Sequence, residues 1–463
     1  MNILMMDTTS DSPRSTPSIA LANHLSPSFR PLTKENSDTL CLERLTYDVR
    51  RLILSSVYTI ADLSALIRAS PVFYRDYAVD PEKWLYGCLK LELGPTIVDA
   101  FNVHLSSTIA SRQDHTLDNR SRTLDNIRQL ISSHRSRNSA SIGVKSVLPS
   151  KAEILSMVAF HSTVMMPLVS RFIEWTQRHF EALSLPDGLS HTESKRILRG
   201  FYRYQLFCKV FGPNGQTIQP FVSADYKLEW FFSLYEPWER EEILCVHEFV
   251  NDKYQRVLDG TGLQAAIVNV LRPGISWDMG MPMNISAVDY TGTTIDIRTL
   301  GDITFHDEAQ FFKPGLSSLG LTLLLSMLNA ADSRTLVSLV LQNISRAFTP
   351  WVTETVSSSC QYRRRRGKRV DSARDKAQAE RQPMPFTGDS EGSPPLAWVT
   401  IWKGTYSNLF GEWMPRSFLR WGYVMWDSDR MISAGAGAVL EDKWNKKFTT
   451  QFGDSFVDPR DRV

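Results

Sequence analysis

The sequence predicts a mainly α protein: a short three-helix unit near its start, then a large irregular helical domain with few short strands. Three observations predict it. Apolar side chains recur at three- and four-residue steps, as in Ile197, Phe201, Tyr204, Cys208 and Phe211, which places them on one face of a helix. Helix start signals stand before these runs: Ser190 and Glu193 have capping-box spacing, and Pro237 suits a first helical position. Apolar residues make up 42% of 463 residues, enough to bury a core and to form two or three domains.

Residues 1–39 are rich in Ser, Thr and Pro and poor in large apolar groups, so a disordered tail is expected there. Residues 40–107 read as short helices. Leu45, Val49, Leu52, Ile53 and Val57 form the first apolar stripe. Asp62 is the expected cap of a second helix that carries Leu63, Leu66 and Ile67. Ser70-Pro71 and Asp80-Pro81 each join an N-cap residue to a proline. Helices of about ten residues are marginal alone, so these must pack on each other and on something larger. Ile53 and Leu54 are adjacent and point about 100° apart, so one faces the unit's core and the other a partner, with Leu54 the candidate outward member.

Residues 108–149 form a polar linker and 150–356 the helical domain. Within it, a helix from Pro237 carries Glu239, Glu241 and Glu242 in its first turns, where negative charge suits the macrodipole, and a stripe of Ile243, Val246, Val250, Tyr254, Val257 and Leu258. Weak strand patterns lie near 264–271 and 293–304. Residues 357–395 read as a second linker, basic and then rich in Pro and Gly. Residues 396–445 are aromatic and expected to pack on the helical domain, and 446–463 form a tail.

Composition excludes several classes. With 52 basic and 50 acidic residues, no global field draws nucleic acid or acidic membranes. The five cysteines include no CxxC pair, so a disulfide framework is not expected and a reducing compartment, cytoplasm or nucleus, fits. The start MNILMMDTTSDS lacks a basic leader region. The apolar run Gly315 to Leu328 falls short of the roughly 20 residues a membrane span needs. No phosphate-binding glycine loop, HExxH or zinc spacing appears, so neither cofactor nor metal is expected. Asp278, Asp289, Asp296, Asp302 and Asp307 show no ligand spacing. Cys245 and His247 could pair as nucleophile and base, but His247 lies on the apolar face and reads as a core histidine. The run Arg363, Arg364, Arg365, Arg366, Lys368 and Arg369 is a candidate nuclear-import signal, against the plainer reading of a solvated linker. The block 398–426 holds five tryptophans, which read as an aromatic core rather than a recognition surface.

Residues 42–84, LERLTYDVRRLILSSVYTIADLSALIRASPVFYRDYAVDPEKW, resemble the F-box motif. The matching positions are Leu45, Asp48, Ile53-Leu54, Asp62-Leu63 and Trp84, while Thr46 stands where the family usually has proline. RASPVFYRDY at 68–77, KRILRGFYRYQLFCKVFG at 195–212, LEWFFSLYEPWEREEILCVHEFV at 228–250, RQPMPFTGDSEGSPPLAWVTIWKGTYSNLFGEW at 381–413 and RWGYVMWD at 420–427 are similar to segments of uncharacterised fungal F-box-like proteins. The resemblance implies an F-box-like three-helix unit and no catalysis. It implies that Leu45, Thr46, Asp48, Val49, Leu52, Ile53, Leu54, Leu63 and Leu66 meet a Skp-type adaptor of a cullin ubiquitin ligase, while the helical domain holds an unidentified protein substrate. Thr46 leaves open a helical scaffold that binds no adaptor. Adaptor binding requires Leu45, Leu52 or Leu54, and Leu63 to be at least partly exposed.

Overall fold

The computed structural model describes residues 42–111, 125, 129, 149–180, 188–212, 227, 231–259, 286–288, 294–296, 313, 315–344, 380, 384–403 and 414–452. The expected tail 1–39, most of the linker 108–149, the strand pattern at 264–271 and the arginine run 363–369 lie outside them.

The chain is mainly helical. Its helices are α1 Tyr47–Ser56, α2 Ile60–Ala69, α3 Pro71–Ala78, α4 Pro81–Leu93, α5 Ile97–Ser111, α6 Lys151–Phe160, α7 Met166–His179, α8 His191–Phe211 and α9 Pro237–Asp259. They continue as α10 Leu321–Leu328, α11 Ser333–Ile344, α12 Leu396–Trp402, α13 Arg416–Trp421, α14 Ser428–Ser433 and α15 Ala436–Phe452. A hairpin pairs Ser286–Val288 with Thr294–Asp296 antiparallel, Ala287 opposite Ile295. Helix α15 runs seven residues past 445, where the sequence suggests that the terminal tail begins.

Two compact units divide the chain. The first takes residues to Glu92 together with Pro149–Phe160, and the second takes Leu93–Leu148 and the rest. The sequence boundary near 107 is therefore displaced. Helix α5 carries Asp99, which bonds Arg203 of α8, so α5 belongs with the second unit. Helix α6 belongs with the first, where Lys151 pairs with Glu82.

In the first unit, Leu54, Leu63, Ile67, Phe73, Leu85 and Leu89 form the core. The cap of α2 is Thr59, not Asp62: the Asp62 amide donates to Thr59 Oγ1 at 3.0 Å, which places Asp62 three residues inside the helix. Ser70 caps α3 as expected, accepting from the Phe73 amide at 3.3 Å.

The second unit is built on the crossing of α8 and α9. Helix α8 begins with the predicted capping box, in which Ser190 and Glu193 satisfy each other's backbone amides. The predicted stripes of both helices are buried. The opposite face of α8 is buried as well, which periodicity does not show. Arg196, Arg199 and Arg203 lie along it, each at most 7% exposed. Glu239, Glu241 and Glu242 do not simply face solvent at the start of α9. Arg199 donates to Glu242 at 2.7 and 2.5 Å, and Arg203 lies 3.1 Å from both Glu239 and Asp99. Burial works against the charge on Glu239, yet Arg203 and Arg199 hold its carboxyl below the usual range. Burial also pushes Glu242 up, against the pull of Arg199.

Aromatic rings fill the space around this crossing. Phe172 meets Phe201 and Phe249 edge-on at 5.6 and 5.5 Å, and Phe180 stacks on Trp421 at 4.1 Å. Trp238 meets Trp398 at 5.5 Å and Trp402 meets Trp444 at 5.2 Å, so the aromatic C-terminal segment is core. The helical run Lys151–His179 is long and apolar enough to cross a membrane by length and composition. Its Met165, Leu168, Phe172 and Trp175 are fully buried within the protein.

Two substitutions test the crossing. A Cβ on Gly200 would sit 3.1 Å from the Glu242 carbonyl oxygen and 3.2 Å from Val246 Cγ2, both on α9. Gly200→Val should therefore force the helices apart and lower the urea midpoint, at a cost of about 1–3 kcal/mol. Glu242→Ala removes the two shortest bonds of the buried Arg199 and leaves it Glu239 and the Glu391 carbonyl, and should cost about 3 kcal/mol. An unchanged urea midpoint in either variant would show that the crossing is loose.

Candidate interaction surface

The first turn of the first unit is set by polar links behind α1. Arg50 donates to Asp76 through Nε at 2.6 Å and also bonds the Leu45 carbonyl. Ser70 bonds the Glu43 carboxylate, and the Ile60 amide donates to Glu92 at 3.1 Å. Arg50 lies one turn before Leu54, so both point inward from the same face of α1. Leu54 is 1% exposed.

The other face of α1 is apolar and open, with Leu52 65% and Val49 39% exposed. Leu42, in the short turn before α1, and Tyr47, the first residue of the helix, are 55% and 43% exposed at its entry. Leu45 and Ile53 are half-buried, and Thr46 and Asp48 are exposed. Of the predicted stripe, Val49 and Leu52 face outward, while Leu45, Ile53 and Val57 are half-buried.

The structure thus corrects one expected role. Leu54 is the inward member of the Ile53-Leu54 pair, because Arg50, one turn away, is fastened to Asp76. Leu63 is 1% exposed and belongs to the core with Ile67, while Leu66 is half-buried. Of the three exposure requirements, Leu45 and Leu52 meet theirs and Leu63 does not. Leu42 and Tyr47 are exposed as well but lie off the predicted stripe, Leu42 in the turn before α1 and Tyr47 at its first residue. Thr46 is the N-cap of α1, with φ −60° and ψ 154° and no capping bond from its side chain. That φ is the value a proline ring imposes.

The candidate nucleophile and base are core groups. Cys245 is fully buried, which pushes its thiol well above the ordinary range. Burial lowers His247 to about 3, helped by the Lys313 and Arg416 charges. Its Nε2 lies 2.9 Å from Asn251 Nδ2. Burial pushes Cys88 up to about 12. Among the described residues, no group of three or more His, Cys, Asp or Glu converges to hold a metal. Asp278, Asp289, Asp302 and Asp307 lie outside the described residues.

No family model matches this chain, and no curated protein or solved structure matches it significantly.

The buried histidine gives a pH signature. His247 stays neutral in the fold while an unfolded histidine gains a proton below about 6.5. Its depressed folded value means that stability is complete above about pH 6.5 and falls as pH drops towards 3. Wild type should lose about 2 kcal/mol between pH 8 and 5 that His247→Gln does not lose. Parallel stability curves from urea titrations at these pH values would show that His247 gains its proton in the folded state too.

Proposed function

We propose that this chain is an F-box-like interaction protein. Its α1 face docks the Skp-type adaptor of a cullin ubiquitin ligase, and its larger unit presents a protein substrate to that ligase. The chain performs no bond chemistry in this reading, and its contribution is proximity. One observation carries the reading: Val49 and Leu52 stand open on the outer face of α1, with Leu42 and Tyr47 exposed at its entry, while Arg50 and Leu54 anchor that helix from behind. The adaptor-facing set then centres on Leu45, Thr46, Asp48, Val49, Leu52 and Ile53. Leu54 and Leu63 hold the unit's core instead. A docking partner in the cytoplasm or nucleus suits this reading.

A second reading, a helical scaffold without adaptor, draws on Leu63, whose burial removes one expected contact. Capture of the chain by purified Skp-type adaptor separates the two. Leu52→Lys should abolish capture yet change stability by less than about 0.5 kcal/mol, since its site is exposed. Leu54→Lys should unfold the unit, because an unpaired charge at a core site costs several kcal/mol. Thr46→Pro fits the existing φ and should tighten capture about tenfold, the equivalent of about 1.4 kcal/mol. If neither wild type nor Thr46→Pro holds the adaptor, the scaffold reading stands.

A further inference from the structure

Residues 384–393, expected as linker, lie along the basic side of α8. None of the ten is buried. Their attachment is polar. Arg196, itself 1% exposed, donates through Nη2 to Asp389 at 3.1 Å and through Nη1 to Asp427 at 2.8 Å. The second oxygen of Asp389 accepts from the Ser428 amide at 2.8 Å and its hydroxyl at 2.7 Å. Lys195 pairs with the Glu391 carboxylate, and Arg199 donates to the Glu391 carbonyl at 2.7 Å. Gly94, at φ +54°, makes room for that pair: a Cβ there would meet Glu391 Oε1 at 3.3 Å and Lys195 Nζ at 3.4 Å.

This is how a protein holds an acidic turn: residues 389–393 bend and turn, and Thr387 Oγ1 comes within 3.2 Å of Ser393 Oγ. Two carboxylates two residues apart each find a cation, and one backbone carbonyl is read by an arginine. Thr387, Ser390 and Gly392 are exposed, and among the described residues the Thr387 and Ser390 hydroxyls bond only within the segment, to Ser393 at 3.2 and 2.9 Å. Met384 and Phe386 are half-buried, so charge supplies most of the hold, and a segment held chiefly by charge can be exchanged for another of the same chemistry, because each broken ion pair is replaced by an equivalent one.

We infer that Lys195, Arg196 and Arg199 form a seat for an acidic turn of a partner protein, and that residues 384–393 are its displaceable occupant in cis. Acid spacing decides entry: carboxylates at positions n and n+2 match Asp389 and Glu391. The tether holds the resident segment at an effective concentration of about millimolar, so a partner must compete with it or wait for it to lift. This seat is independent of what the first unit docks.

The probe is a fluorescein-labelled peptide of residues 384–395, with a control peptide in which both acids are amides. The full chain bearing Asp389→Asn and Glu391→Gln should bind the acidic probe at least about tenfold more tightly than wild type, since its tethered competitor is weakened. The control peptide should bind neither. A second measurement uses wild type alone: excess unlabelled acidic peptide should speed amide exchange in 384–393 and leave α8 protected. If the folded double variant binds no probe, or binds both peptides equally, there is no acid-reading seat. If wild-type exchange in 384–393 ignores the peptide, the segment is a fixed part of the core.

Discussion

Helix α8 and helix α9 cross at Gly200, and beside that contact Arg199 closes on Glu242. The missing side chain lets the backbones approach, and the ion pair then fixes the register. A slip of one turn would leave a guanidinium and a carboxylate in the interior without partners, at several kcal/mol each. Neighbouring pairs reinforce the alignment, because Arg203 lies between Asp99 of α5 and Glu239 of α9. Such pairs add little net stability compared with apolar residues of the same shape. Their contribution is geometric: only one alignment of the helices satisfies them all.

Attachments along the two helices follow from that alignment. On α8, Glu193 accepts from Arg430 at 2.6 Å and from the Asp427 amide at 3.1 Å, which draws α14 to the helix start. On α9, Glu248 receives Arg416 and Arg420 of α13. The C-terminal segment thus arrives with its charges directed to named partners, and its tryptophans fill the space between. Polar contacts set where it lies and aromatic burial supplies most of the stabilisation.

The first unit solves a different problem. Its helices are too short to persist alone, and its core of leucines, Phe73 and Ile67 is small. Arg50 reaches back to both Asp76 and the Leu45 carbonyl, so the entry of α1 is fixed by hydrogen bonds where apolar area is scarce. That arrangement frees the outer stripe of α1 from any duty in the core. A protein that uses polar ties behind a helix can leave apolar side chains in front of it for a partner, which is the basis of the docking proposal.

Local signals settled what local physics controls. The capping box at Ser190 and Glu193, the proline start of α9, the Ser70 cap and the apolar stripes of α8 and α9 were legible because each depends on residues within one or two turns. The core places of Cys245 and His247 were legible from the same stripe. The candidate surface was legible only in part: the stripe Leu45, Val49, Leu52 and Ile53 could be read, but not which side of it faced solvent. Periodicity reports that one face is apolar; it does not report whether the core or a partner covers it. That choice fell to Arg50, whose partner Asp76 lies 26 residues away. The same limit explains the buried arginine row of α8, which resembles a solvated face until Asp99, Glu239, Glu242, Asp389 and Asp427 are brought to it by distant chain. Helix starts and apolar faces are properties of neighbours in sequence, while the partner of a charge is a property of neighbours in space, and here the tertiary structure alone decided it.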